Sequence, residues 1–212
     1  TAFKYYINQG GAFLDVTPIR TTTAAGDVTF SATNGSSSVQ VTDASHGAVE
    51  NDFVTFSGAV SLGGNITAAI LNQEYQIATI VDSNNYIVIA RAVAPVAEIT
   101  IDGVYTPAFV LANASDTANG GTSVVGTYQI NVGLNTTVAG NGWGAGTWGR
   151  NSWGSAAQLT VTTDTLRVWS HDNFGEDLLM NVRDGGLYYW DASLSNPLER
   201  RAVELSSLPN AN

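Results

Sequence analysis

Alternation of apolar and polar residues is the main pattern along this chain, and it predicts β-strands. In "SVQVTD", residues 38–43, Val39 and Val41 share one face and polar side chains occupy the other. The stretch "DFVTFSGAV", residues 52–60, is apolar on both faces, as in a strand that is covered from two sides. "AEITIDGVY" and "GTYQINVGL" continue the pattern further along the chain. The sequence therefore predicts an all-β fold.

Turn residues divide these strands into hairpins. "EYQIATIVD" and "NYIVIARAVA" flank "DSNN", residues 82–85, whose side chains tolerate the left-handed conformation of tight turns. A second hairpin is predicted in "EDLLMNVRDGGLYYWDAS", with "DGG" as its turn and "LRVWSHD" as a preceding strand. The best helix candidate is "TAAILNQEY", residues 67–75, which predicts about two turns, with a loop as the alternative.

The stretch "GWGAGTWGRNSWG" repeats a Trp-Gly pair every five residues, at Trp143, Trp148 and Trp153. Five steps change the face of a strand and rotate a helix by about 140°, so the spacing fits neither element. The glycines let the backbone turn and approach closely, which predicts a loop. Its indoles either pack between sheets, the interpretation we favour, or form a platform on which a sugar ring stacks.

Composition narrows the classes of function. Charged residues make up 12% of the chain, about half of the usual share of roughly 25%. The net charge is −10 and Lys4 is the only lysine, so the basic stripe that a general DNA-binding protein needs is missing. The sequence has no cysteine, which excludes disulfides, thiolate zinc sites and cysteine nucleophiles. It also has no apolar run of the roughly 18 residues that a membrane helix needs.

Few residues are candidates for catalysis or metal binding. His46 precedes Gly47 between two predicted strands, where a turn residue is expected. His171 lies close in sequence to Asp172, Glu176 and Asp177, a grouping that could move protons or bind a metal. The segment lacks the carboxylate spacing of a calcium loop, so we expect a charged turn, no cofactor and no metal.

Two blocks of the sequence resemble a known family. "GWGAGTWGRNSWGSA", followed by "LRVWSHDNFGEDLLMNVRDGGLYYWD", resembles the tail tube or nozzle proteins of short-tailed bacteriophages, and "FKYYINQGGAFLDVTPIR" resembles the segment that precedes them. Between these blocks, the region from "VQVTDASHG" to "NYIVIARA" resembles a small β-domain inserted in that family.

The resemblance implies part of an irregular β-propeller with an inserted small β-barrel or sandwich-like domain. It divides the chain into propeller strands (1–27), inserted domain (28–131, with its core at 28–95), and a Trp-Gly loop with propeller hairpins (132–212). Both ends look like interruptions, so we expect a piece of a longer chain. The hairpins after Trp169 would form one blade of four short strands, packed through Trp169, Leu178, Tyr189 and Trp190.

The implied function is structural and non-enzymatic. Six copies would form a ring in the virion, assembled in the host cytoplasm, around the channel through which DNA leaves. Partners would be other tail, portal, adaptor or fibre proteins, and DNA would pass without specific binding. Two alternatives stay open. One is a carbohydrate-binding module that uses the Trp-Gly loop, and the other is a polysaccharide-degrading enzyme that uses Asp172, Glu176 or Asp177.

Overall fold

The fold is nearly all β, as the sequence predicts. The computed structural model describes residues 4–93, 108–131, 137–138, 161–162, 169–182, 186–193 and 200–205. Within these residues it contains fifteen strands and one helix. No helix of this part of the chain combines the length and apolar character needed to cross a bilayer.

Seven strands form one antiparallel sheet in the order β3-β9-β6-β7-β8-β5-β4. They are β3 (Ile19–Thr22), β4 (Thr29–Ala32), β5 (Ser38–Thr42), β6 (Phe53–Ser57), β7 (Glu74–Ile80), β8 (Asn85–Ile89) and β9 (Val125–Gln129). The pairing of β7 with β8 shifts register between Ile77 and Thr79, and such a bulge bends a strand. The order ends at β3 and β4, and no closed barrel is found among the described residues.

The remaining strands form three smaller antiparallel sheets. β1 (Tyr6–Gln9) pairs with β2 (Ala12–Asp15), and β10 (Thr137–Val138) pairs with β11 (Val161–Thr162). The third sheet has four strands in chain order: β12 (Trp169–Phe174), β13 (Asp177–Val182), β14 (Leu187–Trp190) and β15 (Val203–Glu204). Four short antiparallel strands are what the sequence predicts from the hairpins after Trp169. Whether they are a propeller blade stays a prediction.

The described residues bury two hydrophobic cores, which share no residue. The larger lies within the seven-stranded sheet and is built from alternate residues such as Val39, Val41, Phe56 and Val88. The smaller joins β1 and the segment after β2 to the four-stranded sheet. We call the first the seven-stranded unit and the second the four-stranded unit. The domain boundaries at 27 and 131 stay predictions. β3, which precedes the predicted boundary at 27, is hydrogen-bonded to β9 in the seven-stranded sheet.

The predicted two-turn helix at 67–75 is too long, because α1 spans only Ala68–Leu71. Thr67 caps its start by accepting a hydrogen bond from the Ile70 amide. The chain then enters β7 at Glu74, where it pairs with β6. A helix this short is marginal on its own, and strand pairing outweighs its extension.

A buried chain of hydroxyl groups crosses the larger core. The Tyr128 hydroxyl donates to Asp43 Oδ2 at 2.6 Å, so the Tyr86 hydroxyl, 2.7 Å away, donates to the Tyr128 oxygen. Both tyrosines are fully buried, and burial raises the pKa of each phenol well above its ordinary value. Their hydroxyl groups therefore stay protonated, so β8 and β9 are connected through the core to the carboxylate that follows β5.

Asp116 holds the loop before α1 against the chain that leads into β9. Its carboxylate accepts four backbone N–H bonds of 2.8–3.0 Å, from Gly64, Asn65, Ile66 and Asn113. Burial opposes the charged form, but these four donors outweigh it and lower the pKa of Asp116. The lowered pKa means that the folded state favours the ionised carboxylate.

We expect Asp116→Asn to cost about 3 kcal/mol of unfolding free energy at pH 7, since an amide NH2 would face two of the four donors. The contribution of Asp116 is complete above its unfolded pKa of about 3.9 and is lost as pH falls through the lower folded value. The difference between wild type and variant should therefore shrink below about pH 4. Urea denaturation followed by circular dichroism at pH 7, 5 and 3 measures this.

Asp27→Asn is the matched control, because the exposed Asp27 carboxylate accepts a bond from one backbone amide, that of Ala24. We expect little change for it at any of these pH values. A loss for Asp116→Asn that does not depend on pH would contradict the assignment.

Candidate functional site

The four-stranded sheet has a buried inner face. Successive strand residues point to opposite sides, and β13 buries Leu178, Met180 and Val182 while the residues between them are more exposed. Register places Trp190 of β14 opposite Leu178 on the same face. This face packs against Val16 and the partly buried residues of β1, which forms the smaller core.

The outer face of the same sheet is open and mixed, since apolar residues lie beside the polar Ser170, Asp172, Asp177 and Asn181. It carries Leu179, Leu187, Tyr189 and Val203, which register brings into neighbouring rows. Leu187 is 41% exposed and Val203 is 42% exposed. Phe174, at the end of β12 on this face, is 67% exposed. A sheet with apolar residues on both faces is typical of a strand layer covered from both sides.

The four predicted packing residues of this sheet do not share one face. Leu178 and Trp190 are buried on the inner face, where the Trp190 indole N–H donates to the Arg200 carbonyl oxygen at 3.2 Å. Trp169 is partly buried, with its ring centroid 5.2 Å from that of Tyr5. Tyr189 instead lies on the outer face, because it follows the alternation of β14.

Tyr189 is held by a carboxylate on that outer face. Its hydroxyl donates to Asp177 Oδ2 at 2.5 Å, and the other oxygen of Asp177 accepts from the Ala192 amide at 3.0 Å. The hydrogen bond to Asp177 is the main cause that raises the pKa of Tyr189 to about 12. Asp177 therefore uses both of its carboxylate oxygens to stabilise the β13–β14 hairpin.

The structure separates His171 from the acidic residues that are near it in sequence. His171 lies on the inner face, with its ring 5.6 Å from that of Tyr5. Asp172 and Asp177 point to the outer face, and Glu176 lies in the turn between β12 and β13. No group of three or more histidine or acidic side chains suited to a metal occurs in the described part of the chain.

His46 lies in the connection between β5 and β6, where a turn residue was predicted. Its Nδ1 accepts a hydrogen bond from the Ala48 amide at 3.0 Å, so Nε2 carries the proton and donates to the Asp82 carbonyl oxygen at 3.0 Å. Both ring nitrogens are thus used to fix the loop against the β7–β8 turn.

The Trp-Gly loop falls outside the described residues. Trp143, Trp148 and Trp153 therefore stay predicted as a packing joint, with the sugar platform as the alternative.

A charged cluster lies where the two units meet, and the sequence patterns do not predict it. We call it the joint cluster, and it consists of Lys4, Asp15, Glu74 and Arg201. The Lys4 ammonium contacts both carboxylates and lies 3.0 Å from Asp15. Arg201 lies 2.7 Å from Asp15 and 3.9 Å from Glu74. Only 5% of the Lys4 side chain is exposed, and its ammonium also lies 4.6 Å from the centre of the Phe53 ring.

The joint cluster favours the ionised form of Asp15. Burial alone would raise the pKa of Asp15, but the Thr17 hydrogen bond and the charges of Lys4 and Arg201 outweigh it and lower that pKa. Lys4 and Asp15 are 11 positions apart, and Glu74 and Arg201 lie much further along the chain, so neither periodicity nor a motif brings them together. The one available signal is that the single lysine of the chain lies in a β-strand segment otherwise free of cations.

Comparisons with known proteins show no family for this chain. No protein-family profile matches it, and no curated protein matches it. Among solved structures, a phage phi92 endosialidase aligns with 91% of this chain at 12% sequence identity and a TM-score of 0.29. The alignment covers 25% of that protein, so the chain spans about a quarter of its length. A TM-score this low carries no conclusion about a shared fold or activity.

A leucine-to-alanine substitution should lower the free energy of unfolding by different amounts on the two faces of the four-stranded sheet. We expect Leu178→Ala to destabilise this unit by about 2–4 kcal/mol, because it leaves a cavity in the smaller core. Leu187→Ala, on the open face, should change stability by less than about 0.5 kcal/mol. Trp169 and Trp190 belong to the smaller core, so tryptophan fluorescence during urea unfolding includes a signal from this unit. Equal effects of the two substitutions would contradict the assignment of the faces.

Proposed function

We propose that this chain is part of a non-enzymatic structural protein of a bacteriophage tail, of the nozzle type. Six copies surround the channel through which DNA leaves the particle, and they contact other tail proteins. The sequence blocks around the Trp-Gly loop and "SHDNFGEDLL" support the family, and the all-β fold is compatible with it.

The observation that carries the proposal is the four-stranded antiparallel sheet with apolar residues on both faces. In a propeller each blade packs between two neighbours, so both faces of its sheet are covered. Here the inner face is covered by β1 and the residues after β2, and the outer face exposes Leu187 and Val203. The outer face is therefore where we place the next blade.

Charge and side-chain placement support the remaining parts of the proposal. A net charge of −10 suits a channel wall that lets DNA pass without binding it. His171 and Asp177 lie on opposite faces of one sheet, and Asp177 is bonded to Tyr189 and the Ala192 amide. An acid–base pair needs both groups on the same reacting atoms, so this placement disfavours His171 and Asp177 as such a pair.

Charged substitutions on the outer face test the proposed packing. In the longer protein of which we propose this chain is a part, Leu187→Asp with Val203→Asp should prevent the next blade from packing, because two carboxylates would be buried between blades. A subunit whose propeller stays open should not enter the ring. The isolated chain should keep its fold, since both positions are solvent-exposed there. Mass photometry and negative-stain electron microscopy measure the ring. Ser31→Asp is the control, because Ser31 is an exposed residue of β4, and this variant should assemble normally. Hexamers formed by the double variant would contradict the proposed packing.

The three evenly spaced tryptophans favour a second candidate, a carbohydrate-binding module. Indoles beside glycines can stack on sugar rings, and the sequence of the Trp-Gly loop contains three of them. If this is correct, a glycan array should show binding that Trp148→Ala reduces at least about tenfold, which corresponds to about 1.4 kcal/mol. Trp190→Phe is the control, because Trp190 belongs to the smaller core. An array without hits removes this candidate.

A further inference from the structure

The chain crosses between its two units at two places that lie side by side. It enters the seven-stranded sheet after Pro18 and leaves it after β9, at Ile130. The Ile130 amide donates to the Pro18 carbonyl oxygen at 3.0 Å. Two adjacent strands of chain make a narrow connection, and a narrow connection between two independent cores permits rotation.

Beside this connection, the joint cluster bridges the units through a single acidic residue. Lys4, Asp15 and Arg201 belong to the four-stranded unit, and Glu74 opens β7 of the seven-stranded unit. Among the described residues, the two ion pairs that cross between the units, from Lys4 and from Arg201, end on Glu74, and the Lys4 ammonium also lies over the Phe53 ring of β6. Removing the charge of Glu74 therefore removes both of them at once.

The contact between the two units is polar, as in an interface that can open. The two hydrophobic cores share no residue, so apolar packing within a core does not fix the angle between the units. Gln129 is buried beside the cluster and donates to Glu74 at 2.7 Å, yet its Oε1 has no hydrogen-bond partner among the described residues. In a permanent interface we expect apolar side chains in place of these buried charged and amide groups, because they stabilise a buried contact at least as well.

We propose that Glu74 is an electrostatic latch that holds the seven-stranded unit in one orientation on the four-stranded unit, and that the unit swings about the Pro18–Ile130 connection when the latch opens. The opening breaks two ion pairs and leaves both hydrophobic cores intact. This inference is independent of the proposed tail function, because it depends only on contacts within one chain.

Spin-label distances test the latch directly. The sequence has no cysteine, so Ser31→Cys and Ser170→Cys, one in each unit and both exposed, can be labelled selectively. In the otherwise wild-type chain we expect one narrow distance distribution by double electron–electron resonance. Glu74→Gln should broaden it and shift its mean by several ångströms. Glu50→Gln, an exposed carboxylate of the same unit, is the matched control and should leave the distribution unchanged.

A second variant keeps the test decisive if Glu74→Gln folds poorly. Lys4→Gln with Arg201→Gln removes both partners of Glu74 from the other side of the joint and should broaden the distribution in the same way. Tryptophan fluorescence and far-ultraviolet circular dichroism should show that both units stay folded. A narrow, unshifted distribution in either folded variant overturns the proposal. A broadened distribution that Glu50→Gln reproduces equally would also overturn it.

Discussion

The Lys4 ammonium is placed between the carboxylates of Asp15 and Glu74, and this contact relates the two hydrophobic cores of the protein to each other. The two cores share no residue, and each combines alternate strand residues with buried residues of adjoining segments. The relation between the cores rests on charged groups and on a narrow pair of crossing strands. Taking charged groups out of water costs free energy that offsets much of the attraction between them, so the position of the units depends on few atoms.

Much of the local structure follows from the sequence. The β7–β8 and β13–β14 hairpins were predicted, because Asp and Asn in "DSNN" and glycine in "DGG" tolerate tight turns. The helix at 67–75 was predicted too long, since strand pairing that begins at Glu74 is a tertiary effect. The face of Tyr189 could be obtained from alternation once the register was known, but register depends on pairing across the sheet.

The joint cluster illustrates what sequence patterns cannot supply. Lys4 and Arg201 lie near opposite ends of the chain, and Glu74 lies in a third region, so their meeting depends on two sheets being in place. The same holds for the hydroxyl chain from Tyr86 through Tyr128 to Asp43, whose members come from three strands or their ends. Polar groups are buried in both places because partners brought close by the fold form hydrogen bonds or ion pairs with them. Those partners are distant in sequence and produce no periodic pattern.

The side-by-side crossing at Pro18 and Ile130 has an evolutionary consequence. A single hydrogen bond separates the entry and exit points of the seven-stranded unit, so the four-stranded unit needs only a short turn at that position to be continuous without it. We therefore expect related proteins to exchange, enlarge or lack the seven-stranded unit while the four-stranded unit keeps its architecture. The same adjacency makes this position a natural graft point, where a foreign domain with neighbouring termini can be inserted in its place.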